Sequence, residues 1–551
     1  MTLITFIFFT ALVAVLTWFF TRGKGTSDEE GFFLAGRGLS AIVIAGSLLL
    51  TNLSTEQLVG LNGGAFNAGL SVMAWEVIAG MSLVAMALFF LPRYLKSGIA
   101  TIPQFLEERY GAGVRIATTL IFIIAYTLIL LPFVLFSGAS ALAYMLDLPA
   151  LLSMEDKTVL WIVIGFIAIV GSAYAIFGGL RAVAVSDTFN GFGLLVGGLL
   201  MAFFTFQFAA GEGSITSVFG KIKAENPDAF VSLGKSDEGE HWPTLFTGVL
   251  LLNFFYWCTN QQIIQRTFGA KTLAEGQKGV LLAAFFKILA PIILILPGIA
   301  AFYIATQNPE FKAEIYGTGD KADDSKVYGT LVRYVLPGWM TGFFAAVVVG
   351  SILSTFNSVL NSSATLFSLG IYKKLKPEAT TGQVVASGRV VSAVVAVAAA
   401  IGAPIVFYDR TDIFNVFQSL NGVYFIPLAA VILMGLFNKR VNGIAALITL
   451  AIGLALMVWG TFLDGAGKEL ANGEEATGWV KDIFKSGFHY MGAVFASLMI
   501  LLLILGLFMK RDTPYVQQDA GKVDLTPWKP APIFGGALVA VVLVIYFVLA
   551  R

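Results

Sequence analysis

Only one cysteine, Cys258, and two histidines, His241 and His489, occur in this 551-residue chain. A single thiol excludes an intrachain disulfide and any cysteine-based metal cluster. Both histidines fall in or beside hydrophilic loops, and no His-Glu-x-x-His motif is present, which removes the basis for a membrane-embedded metalloenzyme. The chain is read as not an enzyme. Charge is scarce as well: 13% of residues are charged against 57% hydrophobic, the net charge is +1, and the mean hydropathy of +0.83 excludes a soluble globular domain. Nothing resembles the selectivity-filter repeat of a channel. The apolar run 3–20 lacks a following cleavage site and is read as an uncleaved first span; no lipidation motif is evident. Nothing points to nucleic acid or to an obligate protein partner.

What the chain does contain is apolar runs of roughly 20 residues, the length that crosses a bilayer. They lie near 3–20, 39–62, 68–92, 115–145, 158–178, 184–210, 243–265, 279–305, 336–371, 386–408, 412–437, 443–463, 488–509 and 531–550, about 14 in all. The expected class is an all-α polytopic membrane protein. Placing the first residue outside puts most Lys and Arg in inner loops and most acids in outer ones, as the positive-inside rule requires. That orientation predicts a multi-pass protein of the plasma (inner) membrane with both termini on the extracellular or periplasmic side. The acidic stretches 211–242, 306–335 and 464–487 then lie outside. Thr101–Tyr110, with Pro103 near its start, reads as a short interfacial helix.

Spans 39–210 and 243–437 form two sets of five, each opening on a segment with a polar interruption. An odd number of spans per set gives the two sets opposite orientation, the inverted-repeat plan of secondary transporters. The expected division is a leading helix and loop over 1–38, a first repeat over 39–210, an outer loop over 211–242, a second repeat over 243–437, and three trailing helices over 438–551.

The first interruption organises the rest. In Gly46–Gly60, residues Thr51, Asn52, Ser54, Thr55, Glu56 and Gln57 arrive together at membrane depth. Such a cluster suits a helix broken around 51–54, its freed carbonyls near Leu50 and Leu53 facing a cavity rather than lipid. The second interruption is Asn253–Gln261. In the ninth run, Ser351, Ser354 and Thr355 at i, i+3, i+4 share one helical face. Hydroxyl and carbonyl oxygens suit an alkali cation, although hydroxyls also line helix–helix contacts. Asp187 has two readings: an N-terminal acid favoured by the helix dipole, or the charge of a second cation site. Glu76 and Lys287 are opposite charges in separate spans and should pair, directly or through a bound solute. Asn52, Gln57, Asn253, Asn260 and Gln418 add amides at that depth, and Trp75, Tyr256, Trp257 and Phe414 add flat apolar faces. Amides and charges beside aromatic rings fit a polyhydroxylated solute. For Trp257, lipid-facing or core packing is the preferred reading.

At these residues the sequence resembles the sodium/solute symporter family, nearest its bacterial sodium/sugar, galactose-type branch. The likeness is densest in Gly31–Arg37, Asn52–Gln57, Gly178–Val183, Tyr256-Trp257 with Ile263–Thr267, Leu296–Ala300 and Asn361–Thr365. It implies a five-plus-five inverted-repeat core of the leucine-transporter kind. It also implies one or two sodium ions as coupling ions, held by carbonyls of Leu50 and Leu53 and by Ser351, Ser354, Thr355 and Asp187. Sugar contacts implied by the resemblance are Asn52, Gln57, Glu76, Asn253, Lys287 and Gln418. Tyr256 would close the inner side of the pocket, with Leu61, Phe414 and Trp75 on the outer side. Leu130 and Ala79 depart from an asparagine and a serine of the galactose-type members, and Trp75 from a tyrosine, so galactose itself is disfavoured. The expectation is sodium-driven import of a sugar or related solute. The alternative is sodium- or proton-coupled uptake of another small polar solute, such as a sugar acid, organic acid or amino acid.

Overall fold

The computed structural model describes residues 2–21, 29–234, 240–317, 322–408, 413–463, 483–484 and 486–550, with the side chains of 3, 14, 18, 20, 21, 29, 30, 32, 173–182 and 463 also outside the description. Among these residues there are helices and no strand. Nine helices are long and apolar enough to cross a membrane, or ten when one bent pair is counted as a span, against the fourteen expected. Among the described residues, the expected spans 39–62 and 243–265 are broken at mid-depth into short helices, and 3–20 and 158–178 run into residues outside the description. The outer stretches expected as loops carry helices of their own, Ile215–Glu225, Pro309–Tyr316 and Asp324–Val335, while 464–482 lies outside the described residues.

The first polar cluster does break its helix. Helix α1 (Ala41–Asn52) ends at Leu53, whose ψ of 55° is not helical, and α2 (Thr55–Ala68) starts after the extended Ser54. Helix α3 (Ala74–Ala85) follows and carries Glu76. The interfacial helix forms as Ile102–Tyr110, held by a capping box in which Thr101 Oγ1 accepts from Gln104 N and Gln104 Oε1 accepts from Thr101 N.

Two expected spans, 158–178 and 184–210, are joined in α4 (Asp156–Ala210), helical throughout. Asp156 lies 3.9 Å from Lys326, beyond the outer end of the long helix Gly338–Phe367, and Gly171 packs against Phe356 of that helix. From Gly193 to Gly197 the contacts then retreat from Val347 to Phe344.

The second polar cluster is also broken, between α5 (Leu250–Thr259) and α6 (Gln261–Phe268), at the extended Asn260. The Tyr126 hydroxyl stitches this break, donating to Asn260 Oδ1 at 2.5 Å and accepting from Gln262 N at 3.0 Å. Helix α7 (Leu273–Leu289) carries Lys287 in its last turn and is bent by 40° from Pro291–Gln307, where proline offers no N–H to continue the ladder. Helices α8 (Gly338–Phe367) and α9 (Ile413–Phe437) complete the set around the site.

Candidate functional site

Breaking α1 from α2 frees carbonyls that in a bilayer have no water to turn to. They are met by α8. Ser351 Oγ donates to the Leu53 carbonyl at 3.0 Å and Thr355 Oγ1 to the Thr51 carbonyl at 2.9 Å. The fractured helix and the hydroxyl-bearing face therefore meet. The carbonyl opposite Thr355 is that of Thr51; Leu50 is fully buried and packs near Gly191. Ser354 Oγ is buried and faces the Asp187 carboxylate.

Asp187 does not begin a helix. It lies inside α4, so the helix-dipole reading has no terminus to act on. One carboxylate oxygen accepts from Ser47 Oγ at 2.7 Å and the other, Oδ1, is buried without a partner. Ser47 in turn accepts from Arg266 Nε at 2.8 Å, and Arg266 Nη2 donates to Ser358 Oγ at 2.7 Å. This network ties α1, α4, α6 and α8 together. The arginine was legible only as part of the Ile263–Thr267 stretch, since nothing in its spacing shows that it reaches Ser47 and Ser358.

Between Thr51 and Leu53, Asn52 faces the other way, into a polar cavity. Asn52, Gln57, Trp75, Glu76, Asn253, Tyr256 and Gln418 all line it. Lys287, fully buried in the adjoining wall, donates to both Glu76 and Asn52, so the two intramembrane charges pair directly. Glu56, Asn421 and Trp257 join the lining. Trp257 is 1% exposed, which excludes the lipid-facing reading, and its ring lies 5.5 Å from Lys287 Nζ. Asn421 had a legible signal, standing one turn from Gln418, to which it donates at 3.2 Å. Leu130 and Ala79 are buried and take no part in the lining. The cavity has space for water-sized groups of about 30 Å³, on the order of two water molecules.

One side of it is covered by aromatic rings. Trp75 meets Phe414 edge-on at 5.6 Å and Phe488 at 5.8 Å, and Trp75 Nε1 donates to Glu240 at 2.8 Å. Leu61 is fully buried on α2 and lies outside the lining. Tyr256, on the other side, accepts from Gln262 Nε2 at 3.2 Å. Gly60 lets Phe414 sit this close: a Cβ there would stand 2.5 Å from the ring. Gly60→Ala should therefore push Phe414 off Trp75. We expect a loss of about 1–3 kcal/mol in thermal unfolding together with reduced uptake; wild-type values in both would show that the ring packing does not close this side.

Residues 32–453 match the sodium:solute symporter family. The chain is similar to the uncharacterized symporter YidK of Escherichia coli (strain K12), 40% identical over 553 residues that cover 100% of this chain and 91% of that one. It is also similar to the sodium/glucose cotransporter of Vibrio parahaemolyticus, 31% identical with 80% of this chain and 81% of that one covered. Among solved structures, a Na+-coupled sialic acid symporter in a substrate-bound outward-open state matches with a TM-score of 0.72 over 93% of this chain and 98% of that one. At 19% identity that likeness shows the fold alone.

Proposed function

Because this chain belongs to the sodium:solute symporter family, we propose that it imports a sugar or closely related polyhydroxylated solute, driven by sodium, through alternating access of a five-plus-five inverted-repeat core. Membership makes it a secondary transporter rather than an enzyme.

One observation carries the solute class: the cavity is lined by the neutral amides Asn52, Gln57, Asn253, Gln418 and Asn421 beside a Lys287–Glu76 pair whose charges cancel. Gln57 Oε1 and Glu56 Oε2 are buried without a partner, whereas the Lys287 ammonium is engaged by Glu76 and Asn52. Sugar hydroxyls supply the donors that these oxygens lack. A carboxylate solute would instead add a negative charge beside Glu56 and Glu76, an arrangement that low dielectric penalises. Similarity to a sodium/glucose cotransporter supports the same reading. The roles follow: Asn52, Gln57, Glu76, Asn253, Lys287 and Gln418 hold the solute, Tyr256 closes the inner side, and Leu61, Phe414 and Trp75 close the outer side.

Sodium is the cargo that drives the cycle. The donor set proposed for it is oxygen only: carbonyls of Leu50 and Leu53 with hydroxyls of Ser351, Ser354 and Thr355, joined by Thr51. Such hard donors suit an alkali ion. Ser354 Oγ and the Asp187 carboxylate that it faces supply oxygens for a second ion. Coupling runs through the α1–α2 break, where Thr51 and Leu53 turn toward α8 and Asn52 between them turns to the solute cavity. An ion that fixes the break thereby fixes Asn52 and Gln57, and by linkage the solute strengthens ion binding equally. One charge crossing ~100 mV contributes ~2.3 kcal/mol, roughly a 50-fold solute gradient.

The test is counterflow in proteoliposomes with neutral sugars, polyols, sugar acids and amino acids, each with sodium and with choline in its place. We expect sodium-dependent exchange of a neutral sugar or polyol. Exchange only of an acid or amine would overturn the solute class, and exchange undiminished in choline would overturn the coupling ion.

A further inference from the structure

Trp75 stands where the galactose-type members have a tyrosine, and its indole brings an N–H that, once buried, needs an acceptor. The ring is 4% exposed, and its Nε1 donates to Glu240 Oε1 at 2.8 Å, a carboxylate 165 positions away and on a residue itself 4% exposed.

Glu240 is anchored on its C-terminal side. The next residue, His241, opens a helix, its carbonyl accepting from Thr244 N at 3.0 Å and from Thr244 Oγ1 at 2.7 Å. From Trp242 the backbone stays helical to Thr259, the end of α5. The trailing helix Gly487–Phe508 packs on the same segment: a Cβ at Gly248 would stand 2.4 Å from Phe488, and Thr247 Oγ1 lies 2.9 Å from His489 Nδ1. Trp75 is thus gripped by two groups fixed to one helix. The Glu240 carboxylate takes its N–H, and the Phe488 ring lies 5.8 Å from its own.

This bond favours one state of the cover. With Trp75 seated on Phe414 and Phe488, water is kept from the indole nitrogen and Glu240 is its acceptor. With Trp75 swung out, water serves instead and the carboxylate adds little.

We propose that Glu240 is a positioning residue for transport, latching Trp75 over the solute cavity and setting how often that side opens. Latching presupposes that Trp75, Phe414 and Leu61 form the outer gate. Tyr256, read as the inner closure, lies on the same helix, roughly 20 Å along from Trp242. A shift of this helix that moves Tyr256 also moves Glu240, so the two gates share one moving part.

The full-length C258A protein is given a reporter thiol in the cavity, N421C or, as an independent second reporter, Q418C. Intact cells expressing it are treated with a membrane-impermeant maleimide, in sodium chloride and without solute, so that the reagent enters only when the cover opens. E240A should raise the labelling rate on the order of 10-fold, the effect of losing one buried hydrogen bond. E240Q, whose amide oxygen accepts in the same place, should keep the parent rate. In W75F, which has no N–H to offer, E240A should add nothing, whereas any other contact of that carboxylate would register in both backgrounds. An effect of E240A that is equal with and without the indole nitrogen, or one labelling rate in every variant, overturns the latch. No solute enters the measurement. A counterflow panel that rejects sugars therefore leaves the latch standing, and labelling that rejects the latch leaves the sugar reading standing.

Discussion

Lys287→Met should abolish sodium-driven uptake and lower the unfolding temperature, because Glu76, 1% exposed, would then lie charged in the wall with its ammonium partner gone. Breaking one side of such a buried pair costs about 3–5 kcal/mol, whereas replacing both members by neutral groups of similar size is close to neutral for stability. The double variant K287M/E76Q should therefore recover the unfolding temperature of the parent while uptake stays at background. That split separates a structural pair from a solute-binding one. Proteoliposome uptake alongside thermal unfolding reads both, and a stable double variant that still concentrates solute would remove Lys287 and Glu76 from the proposed site.

Thr355→Val should raise the sodium concentration for half-maximal exchange on the order of 10-fold or more, since the Thr51 carbonyl loses the hydroxyl that meets it at 2.9 Å, a loss of about 1–3 kcal/mol. Ser354→Ala is the cleaner probe. Its hydroxyl meets no backbone carbonyl and faces the Asp187 carboxylate, so a raised sodium requirement on its removal reports on the oxygens around the ion rather than on the helix break. In both variants solute affinity at saturating sodium should stay near that of the parent, because saturation restores the same loaded state. Solute counterflow across a sodium series measures this. A fall in solute affinity that sodium cannot rescue would move these hydroxyls out of the ion site.

Both helix breaks were legible in the chain because they are local: Thr51–Gln57 and Asn253–Gln261 place polar groups where an apolar segment cannot use them. The hydroxyl face of α8 was legible for the same reason, through spacing alone. What opposes what was not. Nothing in the letters says that Thr355 meets Thr51 rather than Leu50, that Arg266 reaches Ser47, or that Tyr126 caps the break at Asn260. Such pairings join residues far apart in the chain and are decided by packing. The position of Asp187 was misjudged because an arginine and a serine just before it imitate a helix start, while the backbone there stays helical. For Trp257 the letters left lipid-facing and core packing open, and the broken α5–α6 pair turns it inward, into the wall of the cavity.

Pro291 stands four residues beyond Lys287, at the 40° bend. The ring nitrogen cannot bond back to the Lys287 carbonyl, which takes the Ala290 N–H at 3.2 Å instead. The ammonium that anchors the wall of the cavity thus rides on the last turn before a soft joint. The cation that pairs with Glu76 therefore sits where one rung of the backbone ladder is missing, so a tilt of Pro291–Gln307 against Leu273–Leu289 displaces it at the least loss of helix hydrogen bonds.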